Sequence, residues 1–276
     1  MTERVCRIWE QIRRSRPMVH SITNNVTMND CANIILAAGG TAIMAQDERE
    51  AEEITAHSQA LALNMGALRA QDAMLAAARA AKRDARPVVL DPVAAGASRL
   101  RREMCSRLLE EGLVSVIRGN ASEIHALAAA EGAHAAGVEA DALDCVTEET
   151  LATAAAWAAD FSRRTRAVIL LSGAIDLATD GTRTVALRGG SEWMCRITGA
   201  GCMLTSLTAV CCGAVPDQIF DAAVTAAGVM KYCGERAYAR VCEEMEGTAS
   251  FRTRLIDAVS LLTASDLASG LRIQAL

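Results

Sequence analysis

Short aliphatic runs, each ending in a polar or glycine residue and separated from the next by a helix-length pattern, constrain this chain more than any other feature. The runs are Thr41–Ala45, Ala60–Leu63, Val88–Leu90, Val114–Ile117 and Ala167–Leu171. Between them lie Asp30–Ala38, Glu48–Ser58, Leu68–Lys82, Leu100–Glu111, Ser122–Ala130 and Glu148–Arg164, which have helical patterning. That alternation predicts an α/β fold with a mostly parallel central sheet covered by helices on both faces. The runs hand over to Gln46, Asn64-Met65-Gly66, Asp91-Pro92, Arg118-Gly119-Asn120 and Ser172-Gly173. Ligands of open α/β sheets lie at the carboxyl ends of strands, so these residues mark one rim. Any one of them serves equally well as a helix cap. Five together favour a site.

Beyond the fifth run the pattern changes. Leu177–Leu187 predicts a hairpin with Asp180-Gly181 at a tight turn. Gly189-Gly190 and the loop Thr198–Gly201 follow, then two long helices over Cys202–Gly213 and Gln218–Glu243. Glu131–Thr147 reads as a loop or variable insertion. At the other end, Val5, Ile8, Trp9 and Ile12 share one helical face, the pattern of a docked helix and not of a targeting peptide. With no linker, repeat or low-complexity tail, one domain over 1–276 is expected.

Composition narrows the function. Of 276 residues, 51% are hydrophobic and 22% charged, which excludes a disordered chain. Aromatics at 3% give an aliphatic core and little surface for stacking bases, and a net charge of −5 disfavours nucleic acid as a partner. Ile197–Pro216 carries no charge and is long enough to span a bilayer. Its glycines, threonines and closing proline make a buried helix the better reading, with no membrane partner. The ten cysteines lack CxxC spacing and sit mostly in apolar stretches such as Cys211-Cys212; they predict buried thiols in a reducing cytoplasm. The histidines (His20, His57, His125, His134) make no i,i+4 ligand pair, so a structural zinc is not expected.

Three segments carry chemistry. In Thr198-Gly-Ala-Gly-Cys202 two glycines let successive N–H groups face one point at a helix N-terminus, an arrangement suited to phosphate. No Gly-Lys-Ser/Thr follows, so it is not a Walker loop, and the third glycine of a dinucleotide fingerprint is missing. Asp91 follows a fully apolar strand, where an acid binds magnesium, orients a substrate or caps a helix. In Arg118-Gly-Asn-Ala-Ser-Glu123, Arg118 suits phosphate oxygens and Glu123 a hydrated metal, while Asn120 and Glu123 also spell a capping box.

The stretches His20–Asn29, Asn64–Gly66, Val88–Val93, Ile117–Ile124 and Thr198–Met203 together resemble the hydroxyethylthiazole kinases of thiamine salvage, in order from about Pro17 to Asp257. The resemblance implies a ribokinase-like three-layer α/β/α fold. It implies transfer of the γ-phosphoryl group of Mg²⁺-ATP to the hydroxyl of 4-methyl-5-(2-hydroxyethyl)thiazole. By residue, it implies a thiazole pocket at Asn24, Val26 and Met44, with Gly199 beside the hydroxyethyl arm. Arg118 and Ser172 match nucleotide-contacting positions, Gly201 lies in the phosphate loop, and Asp91 with Glu123 matches the magnesium–phosphate region. Cys202 faces the reacting hydroxyl, where the wider fold usually has aspartate, and its helix N-terminal place is expected to lower its pKa. A homotrimer with sites between subunits is implied as well. Two departures stand out: Ala94 where the family usually has glycine, and Asn25 where many members have tyrosine. The rival readings are another ribokinase-like enzyme, such as a hydroxymethylpyrimidine kinase, and a non-catalytic thiazole- or nucleotide-binding protein on the same fold.

Overall fold

A computed structural model describes residues 1–130 and 146–276. Its centre is a nine-stranded sheet in the order β2-β1-β3-β4-β5-β6-β7-β8-β9. The first six in chain order are β1 (Met18–Ile22), β2 (Thr41–Ile43), β3 (Ala60–Asn64), β4 (Val88–Asp91), β5 (Val116–Gly119) and β6 (Val168–Leu171), all parallel. The hairpin β7 (Asp176–Thr179) and β8 (Thr184–Arg188) then runs antiparallel, and β9 (Arg272–Ala275) closes the edge. The five expected runs are β2 to β6. Asn64, Asp91, Arg118 and Gly119 prove to be the last residues of their strands, not the first beyond them. The strand β1 and the edge strand β9 were not expected. The hairpin turn also differs: Asp180–Arg183 is a four-residue loop, in which Asp180 Oδ1 accepts from the N–H groups of Thr182 and Arg183.

Residues alternate between the two faces of the sheet. In β6, Val168 and Leu170 join one apolar layer and Ile169 and Leu171 the other; in β4, Val89 faces opposite to Val88 and Leu90. One layer is covered by α1 (Thr2–Ser15), α2 (Met28–Ala38), α8 (Ala200–Ala214), α9 (Ile219–Glu243), α10 (Thr248–Leu261) and α11 (Ala264–Gly270). The other is covered by α3 (Glu48–His57), α4 (Gln71–Arg83), α5 (Arg99–Glu110), α6 (Ala121–Ala130) and α7 (Leu151–Thr165). Helix α1 docks through Val5, Ile8, Trp9 and Ile12, and Trp9 Nε1 donates to Leu262 O at 3.0 Å. Each such buried side chain contributes roughly 1.5–3 kcal/mol. The uncharged segment is α8, buried from Met203 to Ala214, and among the described residues no helix is long and apolar enough to cross a membrane. Most of Glu131–Thr147 lies outside the described residues.

Cysteines divide by place. Cys31, Cys211, Cys212 and Cys233 are buried thiols, as expected, whereas Cys195 and Cys242 are exposed. His20 is a core residue: its ring nitrogens lie 2.7 Å from Thr55 Oγ1 and 3.0 Å from Ala45 O.

Candidate active site

Strand β1 lies between β2 and β3, so the chain leaves it first to one side and then to the other. That reversal opens a crevice at the carboxyl ends of β1 and β3, the place where such sheets hold ligands. Asn24 follows β1 and Asn64 ends β3, and their amides bridge the crevice, Asn24 Nδ2 donating to Asn64 Oδ1 at 3.1 Å. Both amides also point at one sulfur: Asn24 Nδ2 lies 3.5 Å and Asn64 Nδ2 3.3 Å from Cys202 Sγ. Gly66 is required here, since a Cβ on it would come within 2.7 Å of Asn64 Oδ1.

Cys202 stands in the first turn of α8. Gly199 caps that helix at φ +90°, a conformation that favours glycine, and a Cβ on it would lie 2.9 Å from Thr27 Cγ2. Gly201 faces the opposite way, where a Cβ would lie 2.5 Å from Arg118 Nη1. The two glycines therefore bring the helix N-terminus against α2 on one side and the guanidinium on the other.

Below Cys202 lies Asp91, 1% exposed. Its Oδ2 accepts from Asn64 Nδ2 at 2.9 Å and Thr205 Oγ1 at 3.0 Å and lies 3.6 Å from Arg118 Nη1. Arg118, itself buried, also donates from Nη2 to Ser172 Oγ at 2.5 Å. Two buried polar atoms here have no partner: Asp91 Oδ1 and Arg118 Nε. Leaving such atoms unpaired is costly, and one accepts while the other donates, so a ligand offering both a donor and an acceptor would satisfy them. Glu123 completes the capping box, Oε2 accepting from Asn120 N–H at 3.0 Å while Asn120 Oδ1 accepts from Glu123 N–H at 2.8 Å; its Oε1 accepts from Ala94 N–H at 3.2 Å. No group of three or more metal-ligating side chains exists among the described residues. The set fits a cation that keeps its waters and phosphate oxygens, with Asp91 Oδ1 free and the Glu123 charge within reach of it.

The electrostatics reverse one expectation. The Cys202 thiol is held above its ordinary pKa, not below it. Burial is the main cause and the Asp91 carboxylate the second; Thr27, Arg118 and Asn24 oppose them with smaller effect. Burial also raises the Asp91 carboxyl, against the pull of Arg118. The helix N-terminus does not outweigh desolvation beside a like charge.

Of the residues expected from sequence, Asn24, Asp91, Arg118, Ser172, Gly199, Gly201 and Cys202 are thus in one connected cluster, with Glu123 at its edge. Val26 and Met44 are at the rim: Val26 precedes α2 and is 75% exposed, and Met44 lies one residue beyond β2, half-buried. Asn64, Thr205 and Thr27 were not singled out as site residues. Asn64 was visible as a strand-end amide, whereas nothing local marks Thr205, one turn into an apolar helix, as a partner of Asp91.

A family model described as the hydroxyethylthiazole kinase family matches residues 9–265. The hydroxyethylthiazole kinase of Desulfovibrio desulfuricans is 45% identical over 95% of both chains, and that of Clostridium acetobutylicum 42% identical over 96% of this chain and 97% of its own. Among solved structures, hydroxyethylthiazole kinase from Pyrococcus horikoshii superposes with a TM-score of 0.87 at 30% identity, covering 99% of this chain and 98% of that one. A Staphylococcus aureus pyridoxal kinase in complex with ADP, 14% identical with a TM-score of 0.57 over 79% of this chain and 88% of its own, shares the ribokinase-like fold alone. Likeness of this extent covers every strand end that builds the cluster, and the chain belongs to the hydroxyethylthiazole kinase family.

Proposed function

We propose that this protein transfers the γ-phosphoryl group of ATP to the primary hydroxyl of 4-methyl-5-(2-hydroxyethyl)thiazole. The observation that carries this is the pair of unpartnered buried atoms, Arg118 Nε and Asp91 Oδ1, set at the N-terminus of α8 directly beside Cys202. Phosphoryl transfer passes through a loose transition state, so positioning and charge neutralisation do most of the catalysis. Backbone N–H groups of the Thr198–Cys202 loop receive the transferring oxygens, and Arg118 with Ser172 holds the nucleotide phosphates. The thiazole lies toward Asn24, Val26 and Met44, its hydroxyethyl arm along Gly199, with the alcohol facing Cys202. Asp91 and Glu123 would hold magnesium, which would supply charge neutralisation at the phosphates. Cys202 accepts the alcohol proton in its thiolate form, as the bond to phosphorus forms, and the raised thiol pKa confines that form to the alkaline side.

A homotrimer belongs to the same reading: Val26 is left open to solvent and Met44 only half-buried on a single chain, as expected of a pocket finished by a neighbouring subunit. The buried thiols suit a reducing cytoplasm. The test is an ATP-consumption screen against the thiazole alcohol, hydroxymethylpyrimidine and pyridoxal, with and without chelator. The expected result is turnover of the thiazole alcohol alone, lost in chelator. Preference for another alcohol overturns the substrate, and full activity in excess chelator overturns the metal role.

A further inference from the structure

The turn that follows Ser172 is fastened by a buried ion pair that the cluster above does not include. Lys231 reaches from the middle of α9, and its Nζ donates to Gly173 O at 2.6 Å and Ala174 O at 2.9 Å while lying 3.1 Å from Asp176 Oδ1. Asp176, the first residue of β7, accepts from Gly173 N–H at 2.9 Å through the same oxygen. Lys231 is 6% and Asp176 3% exposed. The three ammonium protons thus meet three oxygens, all within Gly173–Asp176. The stem is packed too: a Cβ on Gly190 would come 3.1 Å from Lys231 Cδ, so the same side chain braces the segment that leads from β8 toward α8.

A buried pair of this kind is a poor way to add stability, because desolvating two charges cancels most of their attraction and a well-packed apolar pair would do as well. The surroundings sharpen the point, since α9 from Ala222 to Met230 is buried and almost wholly apolar. The pair instead fixes backbone where β6 ends and the chain reverses into β7, and Ser172 is the first of the four residues between. Burial raises the Asp176 carboxyl, while Lys231 and, with the smallest effect, Arg118 pull it down.

We propose that Lys231 and Asp176 are positioning residues for nucleotide binding: they hold the 172–174 turn where Ser172 Oγ meets Arg118, and so keep the guanidinium shared between Ser172 and Asp91. This rests on the phosphate-binding reading of Arg118. Disturbing the turn frees Ser172, and Arg118 then pairs fully with Asp91 and is lost to the phosphates.

The experiment measures ATP affinity by calorimetry and Michaelis constants for ATP and the thiazole alcohol separately. It compares wild type, Lys231→Met, Lys231→Ala and Asp176→Asn, with melting temperatures for each. Lys231→Met should weaken ATP binding about tenfold, the effect of losing a charged hydrogen-bond network, with the thiazole Michaelis constant within about twofold of wild type. Methylammonium should restore ATP affinity to Lys231→Ala, because it returns a cation to the three oxygens. Unchanged ATP affinity in a folded variant, or an equal loss toward both substrates without rescue, makes the pair merely structural and overturns the proposal. If the lysine variants do not fold, Asp176→Asn decides: it keeps shape and one acceptor, and unchanged ATP affinity there has the same meaning. A wild type that binds ATP without phosphorylating the thiazole alcohol would sink the substrate reading and leave these comparisons intact, whereas one that binds no ATP overturns both.

Discussion

Ala94 sits at φ +56°, a left-handed conformation that costs an L-residue with a side chain about 1–2 kcal/mol. Its N–H donates to Glu123, so the strain is retained at the edge of the candidate site. Ala94→Gly should stabilise the protein by about 0.5–1 kcal/mol once the extra chain entropy of glycine is subtracted, seen in calorimetry as a melting temperature about 2 °C higher. A lower melting temperature would refute the strain. Cys202 gives a second prediction. Because its thiol is raised, the thiolate fraction grows only on the alkaline side, and kcat should climb with pH there in wild type. Cys202→Asp should keep activity and lose that limb, since a carboxylate is already ionised and can accept from the Asn24 and Asn64 amides. Cys202→Ala should cost about a hundredfold in turnover with ATP affinity nearly unchanged. An alanine variant as fast as wild type, beside a dead aspartate variant, removes Cys202 from the chemistry.

The loop into α8 separates its two glycines by function. Gly201→Ala drives a methyl into the far end of Arg118, a flexible side chain that can swing away. The fold should survive, with a melting temperature within about 3 °C of wild type, while ATP affinity falls about tenfold. A nucleotide affinity equal to wild type would show that Arg118 need not stay where it is. Much of this geometry was legible in the strand ends, because β3 to β6 are buried on both faces and read as unbroken aliphatic runs. Strand β1 was not legible: His20 and Ser21 interrupt Met18–Ile22, and His20 is tolerated inside only because Thr55 and Ala45, distant in sequence, satisfy its ring. Missing β1 hid the crevice between β1 and β3, so Asn24 was placed by resemblance and not by topology. Strand β9 is an exposed edge with no apolar run to betray it. The raised Cys202 pKa is illegible in the sequence for a similar reason, since helix position is local and the burial and Asp91 that outweigh it are not.

Taken as one body, the chain leaves open the rim proposed for the thiazole, at Val26, and covers with its own residues the part proposed for phosphate, at Asp91 and Arg118. Light scattering at micromolar concentration should therefore show a trimer, and Val26→Lys, which places a charge at the 75% exposed rim, should shift it toward smaller species. A wild-type monomer would contradict the shared site. Helix α8 has a consequence of a different kind. The loop proposed to receive phosphate, Thr198–Cys202, leads directly into a helix whose side chains from Met203 to Ala214 are all sealed between the sheet and its neighbours. Elements of that kind open only when the fold as a whole opens, whereas frayed loops open on their own. Amides of Thr205 to Cys211 should then be among the slowest to exchange with deuterium. Heating should abolish turnover at the same temperature as secondary structure, with no inactive but folded state preceding it; the anion cradle is as durable as the protein itself.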